Sequence, residues 1–203
     1  MITTTQTLLT ATQQHELFEK FGLTLDNFSL AWRLADLLIE YAVQELPPPR
    51  ATIHLRGEGH CVRIPGQNCG LFTTPIIYIA VLDCRRMLEF FGLTYESDTQ
   101  TLKPITRPRY ADDVGIEHLG LERVTPPRLF EVIKSVMATP LERSLSAVHR
   151  WSNKELAHFT SAKPSVDLDA IRDVSKAMIE ACLQLIFDAL GRTRPRIQPL
   201  DAE

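Results

Sequence analysis

Arg150, Asn153, Lys154 and His158 fall within nine residues of a stretch with helical periodicity. Leu141, Leu145, Val148, Ser152 and Leu156 recur at three- and four-residue steps, so on a helix they share the core-facing side. Trp151, Lys154 and His158 form a second stripe beside it. Lys154 and His158 are four residues apart and point the same way on a helix. An imidazole titrates near neutral pH and can move a proton, while a neighbouring cation can hold a phosphate or stabilise developing negative charge. That is the equipment of phosphodiester cleavage. Taken alone, the same pair also fits a histidine packed at a helix edge beside a solvated lysine.

The segment Asn-Lys-x-x-Ala-His, from Asn153 to His158, resembles the signature of the HEPN superfamily. In that signature an arginine is followed by a polar residue, and a histidine follows after four to six intervening residues. His158 matches the histidine and Asn153 the polar residue. Ser152 stands where the arginine is expected, and Arg150 lies two residues earlier. The earlier run from Leu82 to Gly92, with Arg85, Leu88, Phe90 and Phe91, is also similar to a helix of some members. Together the resemblance covers residues 74–91 and 139–190.

The resemblance implies a helical bundle that acts on RNA without a metal or other cofactor, as a toxin- or defence-type endoribonuclease. His158 would be the general acid/base, Arg150 or Lys154 would hold the phosphate, and Asn153 would orient the substrate or the histidine. It further implies a homodimer, with an antitoxin or another protein as a possible partner. Lysine does not reproduce the planar, bidentate fork that arginine offers a phosphate. A catalytically inactive module for dimerisation or partner binding is therefore the alternative.

These residues need elements to position them. Helices are expected over residues 5–21, stopped by Gly22, and 26–45, opened by Asp26 and stopped by Pro47-Pro48-Pro49. The second would bury Leu30, Leu34, Leu37, Leu38 and Tyr41. Alternation at Ile53 and Leu55, with Gly57-Glu58-Gly59 as a turn, predicts a β-hairpin over 52–64. A central core helix is expected over 74–91, with Pro75 in its first turn. Residues 93–125 read as an irregular insertion, with a second short hairpin at 95–106. Helices over 126–137, 139–159 and 167–190 complete the domain, Thr139 and Asp167 standing at the last two starts. The apolar stripe of the last is Ile171, Val174, Met178, Cys182, Leu185 and Leu190. The expected fold is thus mainly α: a HEPN-like helical bundle of one domain over 1–191, with one or two small inserted β-hairpins and a mobile basic tail over 192–203.

Composition bounds the partners. A chain of 203 residues with 44% hydrophobic content can bury a substantial core. The net charge of −3 excludes a global electrostatic pull toward nucleic acid or anionic membrane, so any RNA contact must come from local charge. Arg85 and Arg86, then Arg107, Arg109, Arg123 and Arg128, and the tail arginines 192, 194 and 196 are the candidates. Arg86 and Glu89, three apart, equally fit a surface ion pair. The opening residues carry no basic stretch followed by an apolar one, and no apolar run has membrane-spanning length, so a cytoplasmic location is expected. Cys84 and Cys182 lie in apolar helical patterns and read as small buried side chains. His54, His60, Cys61 and Cys69 are of metal-binding type, but their spacing fits no common zinc pattern, and no metal is expected.

Overall fold

The structure is a computed structural model. It describes residues 8–44, 50–57, 60–68, 70–96, 98–106, 113–134, 136, 140–151 and 167–197, with the backbone alone over the described parts of 50–72 and at 150–151. Helix α1 spans Ala11–Val43, and strands β1 (Arg50–Gly57) and β2 (His60–Asn68) follow. Then come α2 (Gly70–Phe91), β3 (Leu93–Glu96), β4 (Thr101–Pro104) and a 3-10 turn at Ile116–Leu119. Helices α3 (Pro126–Ile133), α4 (Leu141–Trp151) and α5 (Leu168–Cys182) complete the order, and α5 runs on into a π-helical turn, Leu183–Asp188. This is a mainly α fold with two small antiparallel hairpins, β1-β2 and β3-β4. No helix among the described residues is long and apolar enough to cross a membrane.

The expected pair of helices over 5–21 and 26–45 is one helix. It starts at Ala11 rather than near Thr5, because Thr10 closes a capping box: its hydroxyl accepts from Gln13 N, and the Gln13 side chain accepts from Thr10 N at 3.0 Å. The chain passes Gly22 and Asp26 without a break. A glycine inside a helix weakens it but need not end it when the flanking turns are packed. The buried stripe also differs from the expected one. Phe21, Leu25, Phe28, Ala31 and Ala35 face the core, while Leu37 is exposed and Leu30, Leu34, Leu38 and Tyr41 are only half-buried.

Helix α2 begins at Gly70, a turn before the expected start, so Pro75 lies inside it. It buries Ile77, Ala80, Val81, Cys84, Met87, Leu88, Phe90 and Phe91, but Ile79 and Leu82 are exposed. The central helix is α5 instead. It packs on α1, α2, α3 and α4, and Ile171, Val174, Ala177, Met178, Ala181 and Cys182 are all buried. Asp167 caps it, accepting from Ala170 N at 2.9 Å. An edge-to-face aromatic contact ties its π-helical end to α1, Phe187 to Phe18 at 5.3 Å, and another joins α1 to α2, Phe21 to Phe90 at 5.1 Å. Along the α1–α5 seam, Arg172 lies 2.8 Å from Asp169 and 3.1 Å from the buried Asp173, and Asp36 accepts from Trp32 Nε1.

Two of the tail arginines are also engaged. Arg194 pairs with Asp188, and the Arg192 guanidinium lies 3.9 Å above the Phe18 ring.

Gly92 ends α2 with φ +86°, the left-handed conformation that closes a helix at low cost only for glycine. A Cβ there would also meet Arg123 Cγ and Cδ at 3.1 Å. Arg123 cannot easily move aside, because its Nη2 holds the buried Glu117 carboxylate at 2.7 Å. Gly22 is the opposite case: a Cβ meets nothing within 4 Å. Gly92→Ala is accordingly expected to destabilise the protein by roughly 1–3 kcal/mol, and Gly22→Ala to stabilise it by about 0.5–1 kcal/mol. Urea unfolding of the two variants checks both signs, and a stabilised Gly92→Ala would refute the first.

Candidate functional site

Of the run of sequence candidates, the described part of α4 holds only the first residues. Leu141, Leu145 and Val148 face the core as expected. Arg150 lies on the last turn of this helix, directly after His149. Ser152, Asn153, Lys154, Leu156 and His158 lie outside the described residues, as does Thr139. Of the four predicted site residues, the structure therefore positions the backbone of Arg150.

Beside that helix end is a cavity of about 420 Å³ between α2, β3 and α4. Helix α2 contributes Val81, Cys84, Arg85, Leu88 and Glu89 to its lining; β3 contributes Leu93 to Glu96; α4 contributes Leu145, Val148 and His149. The local folding explains this meeting. Arg85 and Glu89 are one turn apart on the outer face of α2 and pair at 3.1 Å, while Val81, Cys84 and Leu88 turn inward. Strand β3 alternates, with Leu93 and Tyr95 buried and Thr94 exposed. Residues on one side of α4 at positions 145, 148 and 149 complete the wall.

The His149 ring lies 5.1 Å from the Tyr95 ring, tilted by 50°. Burial, and then the positive charge of Arg85, hold its imidazole below the ordinary histidine range. It is therefore neutral at pH 7, with one ring nitrogen able to accept a proton. The Tyr95 hydroxyl is buried and has no hydrogen-bond partner among the described residues. Glu96 is held by Lys103 and Thr99, whose hydrogen bonds lower its pKa. Cys84 is a different kind of group. Burial, with Asp83 beside it, pushes its thiol up to about 12, so it stays protonated and is a poor nucleophile. Burial likewise raises the pKa of Cys182, the other free cysteine described.

The lowered His149 pKa makes stability depend on pH. The pKa is higher in the unfolded chain than in the folded protein, so below about pH 6.5 the unfolded state binds more protons and stability falls as the pH drops. Above that range His149 contributes no pH dependence. Arg85→Gln removes the second cause and leaves the first, so the His149 titration should move part of the way back up. An NMR titration of the ring protons checks this, and a downward move in Arg85→Gln would refute it.

The other arginine candidates are mostly paired. Arg123 bonds Glu117 and the Ile105 carbonyl, Arg128 bonds Glu131, and Arg86 reaches back to Asp83 at 3.3 Å. Arg107 and Arg109 lie outside the described residues. The side chains of His54, His60, Cys61 and Cys69 lie outside them too, and no group that could hold a metal occurs among the described residues.

Sequence reasoning missed His149 and Tyr95 as site residues. His149 directly precedes the run already singled out, but its position next to Val148 says only that it stands at the edge of an apolar stripe. Tyr95 sits in a short strand, and its ring contact with His149 joins residues far apart in the sequence. Comparison of the chain with protein-family models, with curated proteins and with solved structures returns no match.

Proposed function

We propose that this protein is an RNA-directed, HEPN-like endoribonuclease of the toxin or defence type that works without a metal. The observation that carries the reading is the run of Arg150, Asn153, Lys154 and His158, which starts on α4 at the edge of a cavity lined by a neutral histidine and by Arg85. A mainly α bundle with α5 at its centre agrees with the fold the resemblance implies. In this mechanism Arg150 or Lys154 holds the scissile phosphate and Asn153 orients the substrate or the imidazole. His158 takes the proton from the ribose 2′-hydroxyl as that oxygen bonds to phosphorus. The bond from phosphorus to the 5′-oxygen breaks, and the proton ends on that oxygen. The products are a 2′,3′-cyclic phosphate and a 5′-hydroxyl. A homodimer would bring two such runs together.

The test is incubation of the purified protein with structured and single-stranded RNAs in a chelator, with analysis of the ends. Cyclic-phosphate ends are expected, and RNA left intact across such a panel would overturn the reading. A second reading, a catalytically inactive HEPN-like module for dimerisation or partner binding, is favoured by Ser152 in the arginine's place. It predicts a stable dimer or an isolable complex with an antitoxin-like partner, and no cleavage.

A further inference from the structure

We infer that the β1-β2 ribbon is an arm that grips the phosphate backbone of an RNA strand, through Arg56 and Arg63 on one of its faces. The stretch from residue 50 to residue 68 holds Arg50, His54, Arg56, His60 and Arg63, and Glu58 in the turn is its one carboxylate. A segment of net positive charge thus stands in a chain whose net charge is −3, and such local charge is what an RNA contact here requires. The pairing sorts it further. In an antiparallel ribbon, directly opposed residues share a face and successive residues alternate. His54 is opposite Arg63 and Arg56 opposite Cys61, so these four positions belong to one face. Ile53 is opposite Ile64 and Leu55 opposite Val62, so along these positions the other face is aliphatic. A sheet covered on both faces is apolar on both, whereas one apolar and one polar face is the pattern of a sheet covered on one side. Beyond its own pairing, the ribbon's principal neighbour among the described elements is α2, which follows it in the chain. Whatever surface covers the aliphatic face, the basic face is on the opposite side. Positions 56 and 63 are diagonal neighbours across the pair, roughly 7–8 Å apart, close enough to hold neighbouring phosphates of one strand. A guanidinium offers phosphate a bidentate fork that an ammonium lacks. Arg86, Arg123, Arg128 and Arg194 are each paired with a carboxylate, whereas no carboxylate shares the face of Arg56 and Arg63. The choice of RNA, rather than another polyanion, rests on the RNA-directed reading above; the basic face does not.

The experiment titrates the full chain against a single-stranded 2′-O-methyl oligonucleotide, which cannot form a cyclic phosphate, and reads fluorescence anisotropy over a series of salt concentrations. Arg56→Gln should weaken binding by roughly 10-fold or more, the loss of one charged hydrogen bond. Arg128→Gln, which removes the same charge from α3, should change it by less than about 2-fold because salt screens distant charges. Replacing Arg56 and Arg63 together by glutamine should flatten the slope of log K against log salt by about 1.4, the value of two single-strand phosphate contacts. Replacing both by lysine should keep that slope. Equal losses in Arg56→Gln and Arg128→Gln would overturn the inference, because the net charge of the chain rather than the ribbon would then set the affinity. An unchanged slope in the double glutamine variant overturns it too, as does an oligonucleotide that the full chain does not bind. Binding to phosphatidylserine vesicles without binding to the oligonucleotide gives the basic face to a membrane and overturns the choice of RNA. The two readings fail separately. Metal-free cleavage with no Arg56-dependent binding removes the arm and leaves the nuclease. Arg56-dependent binding with no metal-free cleavage removes the nuclease and leaves the arm.

Discussion

His158→Ala is expected to lower the rate of metal-free RNA cleavage by roughly 100- to 10,000-fold, the range that a positioned general acid or base contributes. The imidazole is the group in the run whose ordinary pKa lets it both take and give a proton near neutral pH. Lysine, arginine and asparagine cannot replace it in that task. The size of the loss separates proton transfer from binding: it should appear in kcat and persist at saturating RNA. The cation has a different signature. If Arg150 holds the phosphate, Arg150→Lys should keep the charge and still lose much of the activity, because the bidentate fork is gone. If Lys154 holds it, Lys154→Ala should carry the loss and Arg150→Lys should be near neutral. Equal cleavage by His158→Ala and the unaltered chain would remove His158 from the mechanism. Thermal unfolding of each variant serves as the control for folding.

Phe28→Ala is expected to destabilise the protein by about 3–5 kcal/mol, the cost of deleting a large buried aromatic side chain and leaving a cavity. Phe28 is 0% exposed on the inner stripe of α1, the helix that packs along α5. Leu37, on the same helix, is 40% exposed, and Leu37→Ala should change stability by less than about 1 kcal/mol. Urea unfolding of the pair measures which α1 stripe is the core stripe. A larger loss for Leu37→Ala than for Phe28→Ala would contradict the packing described above.

That contrast also shows where sequence reading stops. Residues 21, 25, 28, 31 and 35 and residues 30, 34, 37, 38 and 41 both have helical spacing, so periodicity offers two faces of α1. The leucines at 30, 34, 37 and 38 favour the latter face on apolar content alone. The core uses the former, where Ala31 and Ala35 are fully buried on the helix that packs along α5. Gly22 misled for a related reason: a local weakness is outweighed when the whole helix is packed on a partner. The hairpins behaved differently. Alternation over 53–55 and a glycine turn are local signals, and β1 and β2 pair with Ile53 opposite Ile64 and Gly57 opposite His60. The β3-β4 hairpin is where expected but starts two residues earlier, with Leu93 opposite Pro104.

By itself the sequence determined the class of the fold, the two hairpins, the end of α2 and the starts of α3 and α5, because capping, alternation and apolar spacing act over a few residues. It also singled out the run from Arg150 to His158. Only the tertiary structure decided that α5 is the hub and that α1 is one helix. It also decided that His149 stands beside Tyr95 and Arg85 around a cavity. The last of these joins His149 to residues more than fifty positions away. All of them depend on which helix faces bury each other, and no local pattern encodes that choice.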